Sequence, residues 1–155
     1  MNDYYKNLPK KRMAAGVIFL NEKEEVLIVK PSYKDYWFIP GGVVEDNESP
    51  RQACIREVKE EIDLDINPVR FLCIDYSPRE GDEKSEALQF IFYGGILNSD
   101  TISIIKLDGK ELVDSQFVSV SEAEKLLGHK LAKRFPKCID AIKTGTSVYL
   151  EDGEF

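Results

Sequence analysis

Three glutamates on one predicted helix carry the clearest chemical signal in this sequence. Glu57, Glu60 and Glu61 follow Arg56 in a run with helical periodicity. At about 100° per residue the three carboxylates share one arc of the helix, beside an apolar stripe. Like charges three and four residues apart repel each other, and a divalent cation would relieve that repulsion. Carboxylate oxygens suit Mg²⁺ or Mn²⁺, so this arc is a candidate metal site that phosphate oxygens could complete.

A purely structural interpretation of the same glutamates has to be weighed against metal binding. Glutamate-rich helix faces are common on solvated surfaces. Arg56 and Glu60 have the spacing of an ordinary ion pair on such a surface. The three glutamates alone therefore do not decide between a metal site and a solvated face.

The residues before the glutamates predict how the helix is positioned. A turn at Pro40, Gly41 and Gly42 precedes it, and Pro50 suits its first turn. Asn47 and Ser49 are the two candidates for the helix cap. The sequence thus predicts a strand, a glycine turn and a capped helix in direct succession.

The spacing of this stretch resembles the signature of the Nudix hydrolases. The residues that carry the resemblance are Gly42, Glu48, Arg56, Glu57, Val58, Glu60, Glu61 and Leu64, with Trp37 to Gly42 resembling the strand that enters the motif. One position departs, because the family usually has glycine where this chain has Asp63. That residue follows the helix, where a left-handed conformation is common, and Asp tolerates it better than most residues.

The resemblance implies a metal-dependent hydrolase that cleaves a pyrophosphate bond in a nucleoside diphosphate linked to another group. Its ligands to Mg²⁺ or Mn²⁺ would be Glu57, Glu60, Glu61 and the Gly41 carbonyl. Arg56 would orient Glu57 by a charge-assisted hydrogen bond. Glu48 would fix the helix start from outside the metal shell, where Gly42 is also expected.

The general base has more than one candidate. Glu57 is one, and some members of the family use a glutamate from a later loop instead. Glu111 is the preferred residue of that kind, because it precedes a predicted strand, Asp114 to Val120. Glu83 and Glu86 compete with it, and Glu111 could equally be a plain loop carboxylate.

The substrate beyond the pyrophosphate is not determined by the motif. Tyr33, Tyr36 and Trp37 lie beside it and are candidates to stack on a base, although aromatic residues at strand edges more often pack. The resemblance implies a further candidate, because a proline near the position of Pro78 accompanies ADP-ribose specificity in some members of the family, although the spacing in this chain is slightly short. His129 is expected on the surface or in a helix cap rather than in catalysis. The alternative function is a Nudix-fold module that binds a nucleotide as a sensor without cleaving it.

The composition indicates the class of protein and the kinds of partner it can bind. With 155 residues and 43% hydrophobic residues the chain can form a single domain, after a loose lead-in over residues 1–11. The net charge of −7 disfavours duplex nucleic acid as a partner and leaves a small nucleotide substrate possible. Three separated cysteines are typical of a cytoplasmic protein. The sequence shows no leader and no long apolar run, so no membrane partner is expected. We expect a monomer or homodimer.

The predicted strands precede and follow the motif helix, but strands and helices do not strictly alternate along the chain. This order predicts an α+β fold with a mixed sheet. The family resemblance makes this a Nudix-type α/β/α sandwich with a mixed central β-sheet. The predicted strands are Met13–Leu20, Val26–Lys30, Trp37–Ile39, Ile66–Tyr76, Ala87–Leu97 and Asp114–Val120, and Ser121 is predicted to cap a later helix.

Overall fold

One mixed β-sheet forms the centre of the protein in a computed structural model that describes residues 2–68, 70–82 and 85–155. Its seven strands within those ranges are β1 (Arg12–Asn21), β2 (Val26–Pro31), β3 (Gly41–Val43), β4 (Arg70–Ser77), β5 (Ala87–Leu97), β6 (Leu112–Val118) and β7 (Val148–Glu151). They follow the order β6-β2-β1-β5-β4-β7, and β3 pairs with β1. The pairs β1–β5 and β4–β7 are parallel and the others are antiparallel, which confirms the mixed sheet.

Helices cover both faces of this sheet. They are α1 (Asp3–Lys6), α2 (Pro50–Ile62), α3 (Ser99–Ser103), α4 (Val120–Leu126) and α5 (His129–Thr144). Side chains alternate along β1, so Val17 and Phe19 pack in the core on the α2 face. Ile18 and Leu20 pack in the core on the α4 and α5 face. The α/β/α sandwich expected from the sequence is confirmed.

Helix α2 begins and ends at residues that the sequence pointed to. Ser49 is the cap, and it forms a capping box with Gln52, while Asn47 lies before the helix with a φ of 58°. The helix ends at Asp63, which takes the left-handed conformation with a φ of 59°. The predicted tolerance of Asp at this position is therefore confirmed, and the departure from glycine leaves the helix end intact.

The segment before β3 differs from the prediction. Trp37 to Ile39 is not a strand, because it makes only isolated bridges, from Trp37 to Leu127 and from Phe38 to Val29. Val17 N–H donates to the Pro40 carbonyl at 2.9 Å, so the segment is inserted between β1 and β2. The regular ladder with β1 starts only at Gly41. This insertion is what brings the glycine turn onto the sheet.

Three other boundaries were predicted wrongly. The strand expected from Ile66 starts at Arg70, because Ile66 packs against the core beside α2 instead. The strand expected at Asp114–Val120 lies at Leu112–Val118, in register with β2. Helix α4 is capped by Ser119 rather than Ser121, since the Ser119 side chain accepts the Glu122 N–H at 3.2 Å.

The remaining expectations concern the termini and the cysteines. The lead-in contains α1, a four-residue helix that buries no side chain. Cys54, Cys73 and Cys138 are buried and free, in agreement with a structural role. None of the helices in the described ranges has the length and apolar character needed to cross a bilayer.

Candidate active site

Glu61 is the most buried of the predicted metal ligands, with 6% of its surface exposed. Its Oε1 accepts a hydrogen bond from the Gly41 N–H at 3.0 Å, which ties α2 to β3. Gly41 has a φ of 154°, and a side chain there would overlap the carbonyl oxygen of Ala15. Glycine is therefore required for the turn to approach β1 and for its amide to reach Glu61.

Glu57 lies directly beside the second glycine of the turn. A Cβ atom on Gly42 would overlap the Glu57 carboxylate, so the missing side chain provides the space that this carboxylate occupies. Arg56 Nη1 donates to Glu57 Oε1 at 2.9 Å, as the resemblance implied. The Glu61 carboxylate is close enough to Glu57 for each to affect the pKa of the other. The two glycines thus place two carboxylates next to each other.

Arg56 connects the start of α2 to these carboxylates. Its Nε and Nη2 donate to the two oxygens of Glu48 at 2.8 and 2.9 Å, and Nη2 also donates to the Val43 carbonyl at 3.1 Å. This bidentate contact lowers the pKa of Glu48 to about 2, so that Glu48 is ionised. All three guanidinium nitrogens of Arg56 thus donate hydrogen bonds, Nη1 to Glu57, so Arg56 can hold Glu57 in one orientation.

The electrostatics of the two central carboxylates are unusual for glutamates. Burial raises the pKa of Glu61 to about 8, against the hydrogen bond from Gly41, and the nearby charges of Glu57 and Glu111 act in the same direction as burial. Burial also raises the pKa of Glu57. Near neutral pH the metal-free pair therefore retains a proton, which a dication could replace.

Glu60 lies apart from these two side chains. Its side chain is 59% exposed and its Oε2 accepts from Arg56 Nη1 at 3.3 Å. Across the part of the chain that the structure describes, no three histidine, cysteine or acidic side chains are gathered as a metal site. Glu60 would have to leave Arg56 to join Glu57 and Glu61, and its exposure allows that rotation.

A cavity of about 720 Å³ opens beside the carboxylates on the α5 side of the sheet. Gly41, Gly42, Glu61 and Glu111 contribute to its lining. Its volume is in the range of sites for small organic ligands. The structure thus brings Glu111, fifty positions beyond Glu61, to the same cavity.

Glu111 is held in place by its backbone. Its carbonyl accepts from the Ser32 N–H at 2.8 Å, beside the end of β2. Asp108 Oδ1 accepts from the N–H groups of Lys110, Glu111 and Leu112 at 3.0, 3.2 and 3.0 Å, and these bonds lower the pKa of Asp108. Asp108 was not singled out from the sequence, so its role in fixing the Glu111 loop was missed.

The other candidates for the base are placed differently. Glu86 accepts from Lys11 Nζ at 2.8 Å and from the Tyr76 hydroxyl, and it does not line the cavity. Glu83 lies outside the described residues. His129 is exposed at the start of α5 and lines the cavity without contacting the carboxylates by any hydrogen bond in the described ranges.

The three aromatic candidates have different surroundings. Tyr33 is 72% exposed and lines the cavity. Trp37 is half-buried, packs against the α5-side core and is not among the lining residues. Tyr36, the third aromatic candidate, lines the cavity together with Phe38, which was not singled out from the sequence, and their ring centroids are 5.1 Å apart. Their presence at the cavity depends on the inserted segment before β3.

A buried ion pair at the cavity wall was also missed. Arg134 Nε donates to Asp75 Oδ2 at 2.7 Å, with 6% and 1% of the two residues exposed. The Gly153 N–H donates to the other Asp75 oxygen at 3.0 Å. The partners are 59 positions apart in sequence, so no local pattern indicates this pair.

Comparison with known proteins agrees with the geometry. The NUDIX domain family model matches residues 10–138. The chain is 41% identical over 61 residues to an RNA pyrophosphohydrolase of Hydrogenovibrio crunogenus, covering 39% of this chain and 37% of the relative. It is 40% identical over 67 residues to an 8-oxo-dGTP diphosphatase of Proteus vulgaris, covering 41% and 59%. The chain thus spans less than two thirds of these curated relatives.

A solved structure extends the similarity across most of the fold. The MutT protein from Methanosarcina mazei Go1 superposes with a TM-score of 0.71 at 23% identity, covering 88% of this chain and 99% of that one. At this level of identity the agreement concerns the fold.

Proposed function

Because this chain belongs to the Nudix family, we propose that it hydrolyses a pyrophosphate bond in a nucleoside diphosphate linked to another group. The observation that carries this proposal is the placement of Glu57 and Glu61 against the Gly41-Gly42 turn, beside a cavity that Glu111 also lines. A carboxylate cluster next to a cavity of nucleotide size is what metal-assisted phosphoryl chemistry needs.

The donor set fits a Mg²⁺ or Mn²⁺ ion. The buried Glu61 and the half-buried Glu57 both have raised pKa values without a cation, and oxygen ligands of this kind are those that Mg²⁺ and Mn²⁺ prefer. Glu57, Glu61 and Glu60 would hold the ion, together with the Gly41 carbonyl. When bound, the ion neutralises charge on the phosphate oxygens and lowers the pKa of a water molecule.

The protein's own residues would position and deprotonate the attacking water. The water oxygen attacks phosphorus, the bond from that phosphorus to its bridging oxygen breaks, and the proton of the water passes to Glu111. The Glu111 side chain makes no hydrogen bond within the described ranges, so its oxygens are available to a water in the cavity. Glu57 remains the alternative base, but Arg56 already holds one of its oxygens.

The substrate is proposed to be a nucleotide-type small molecule. One curated relative is named for RNA and the other for the nucleoside triphosphate 8-oxo-dGTP, and both names support a substrate that contains a nucleotide. The negative charge of the chain disfavours broad contact with a nucleic acid backbone, whereas a single nucleotide needs only the local field of the site.

Hydrolysis in ¹⁸O-labelled water tests the proposal. A panel of nucleoside triphosphates, dinucleoside polyphosphates, nucleotide sugars and ADP-ribose is incubated with Mg²⁺ or Mn²⁺, and the label in the phosphate products is located by mass spectrometry. We expect cleavage of at least one substrate with a single ¹⁸O on one phosphorus, and loss of cleavage with EDTA. A protein that binds nucleotides from the panel but cleaves none would instead be the sensor module.

A further inference from the structure

The Arg134–Asp75 pair is the part of the cavity wall that the proposed hydrolysis does not use. Both residues are more than nine-tenths buried, and Asp75 is satisfied by Arg134 Nε and by the Gly153 N–H. Buried ion pairs are costly to form, and a hydrophobic replacement is often as stable. Stability alone is therefore a weak reason for a guanidinium at this position.

The terminal nitrogens of Arg134 have no partner in the part of the chain that the structure describes. Its hydrogen bond there is the one from Nε to Asp75. Within the same ranges no sealed side-chain nitrogen or oxygen lacks a partner, so the two Nη atoms are not enclosed by protein. Since Arg134 lines the cavity, its Nη groups are presented to whatever the cavity holds.

The position of the pair along the sheet suits the far end of a nucleotide. Gly41 lies on β3, and the chain of neighbours β3–β1–β5–β4 leads from it to Asp75. Three strand spacings of about 4.8 Å put roughly 14 Å between β3 and β4 across the sheet. With the phosphates beside Glu61, the sugar and base would extend toward Arg134.

Gln89 is a second polar group on the same stretch of wall. It lies opposite Asp75 in the β4–β5 ladder and opposite Ala14 in the β1–β5 ladder, and it lines the cavity. Its side chain makes no hydrogen bond to the other described residues. The rings of Tyr36 and Phe38 line the same cavity and offer apolar faces for a base.

We propose that Arg134, oriented by Asp75, donates from its Nη groups to an exocyclic carbonyl of the substrate's base. Guanidinium groups only donate, so a base with a carbonyl at that edge is favoured over one with an amino group. The charge of Asp75 neutralises the arginine locally, which suits a neutral carbonyl better than a phosphate. This inference rests on the proposed nucleotide substrate and names the class of base, an oxo base such as hypoxanthine rather than adenine.

Equilibrium binding in metal-free buffer tests the inference separately from hydrolysis. Inosine and adenosine 5′-monophosphate differ at the carbonyl or amino edge of the same purine, and calorimetry gives both dissociation constants. We expect the inosine nucleotide to bind about 10- to 100-fold more tightly to the wild-type protein. Equal affinities, or no binding of either nucleotide, would overturn the inference even if the protein proves to be a hydrolase.

Variants of Arg134 test whether this residue causes the preference for the inosine nucleotide. Arg134→Lys keeps the charge beside Asp75 but loses the planar fork, and the double variant Asp75→Asn, Arg134→Met removes the charge pair together. Both should reduce the preference for the inosine nucleotide to less than about threefold. Lys130→Met, on the same helix and cavity, is the matched control, and it should leave the ratio unchanged. A ratio that persists in a folded Arg134→Lys protein would refute the role of Arg134.

Discussion

Replacing Glu61 by glutamine is expected to stabilise the metal-free protein while removing its activity. The pKa of Glu61 is raised by burial from 4.5 to about 8. An acid with a raised folded-state pKa contributes stability that is fully present below pH 4.5 and is lost as the pH rises through 8. Glutamine cannot ionise, and its side-chain oxygen can still accept the hydrogen bond from Gly41.

The size of the effect follows from the shift in pKa. At pH 7 the wild-type protein is about 2.5 pH units above the unfolded-state pKa of Glu61, which corresponds to about 3 kcal/mol of lost stability. Glu61→Gln should therefore raise the free energy of unfolding by about 3 kcal/mol at pH 7 in EDTA. For a chain of this length that is roughly 6–12 °C in melting temperature. The gain should vanish near pH 4.5.

Urea unfolding of both proteins from pH 4.5 to 8 in EDTA measures this difference. Turnover with Mg²⁺ is measured in parallel and should fall at least about 100-fold in Glu61→Gln. Glu60→Gln is the matched control, because it removes a charge from the same helix at a side chain that is 59% exposed. A stability difference that does not change with pH, or an equal pH-dependent gain in Glu60→Gln, would refute the role of burial at Glu61.

Three further outcomes are expected. Gly42→Ala should displace the Glu57 carboxylate by about 1 Å and lower turnover about 100-fold, which initial rates would measure. A variant with the wild-type rate would show that the position of this carboxylate does not matter for turnover. Glu111→Gln should lower the turnover number by ~10²–10⁴ with Mg²⁺ affinity from calorimetry nearly unchanged, and Asp108→Ala should reproduce part of that loss by releasing the loop. Removing divalent cations with EDTA should abolish hydrolysis, and adding back excess Mg²⁺ should restore it, so activity that survives EDTA would contradict the metal site.

The local features of the site were determined by the sequence. The capped start of α2, the order of its glutamates and the left-handed end at Asp63 depend on residues within a few positions of one another. Helix propensity and hydrogen bonds between residues so close in sequence can be predicted from residue types and spacing. The contact from Arg56 to Glu57 belongs to the same class, because the two residues are adjacent.

Features that join distant parts of the chain were decided by the tertiary structure. The pKa of Glu61 depends on burial against Gly41, which is produced by the insertion of the Trp37–Pro40 segment between β1 and β2. That segment looked like a strand, since its residue types suit one and only the neighbouring strands reveal that its ladder is interrupted.

The cavity and its polar wall also could not be predicted from the local sequence. Asp75 and Arg134 meet only because β4 and α5 pack together, and neither residue stands out in its own segment. Glu111 could be proposed from the sequence as one of several candidates, but its place beside Glu61 follows from the pairing of β6 with β2. Burial and proximity arise from packing between segments that are far apart in sequence. This packing places the glutamates of α2 beside a cavity.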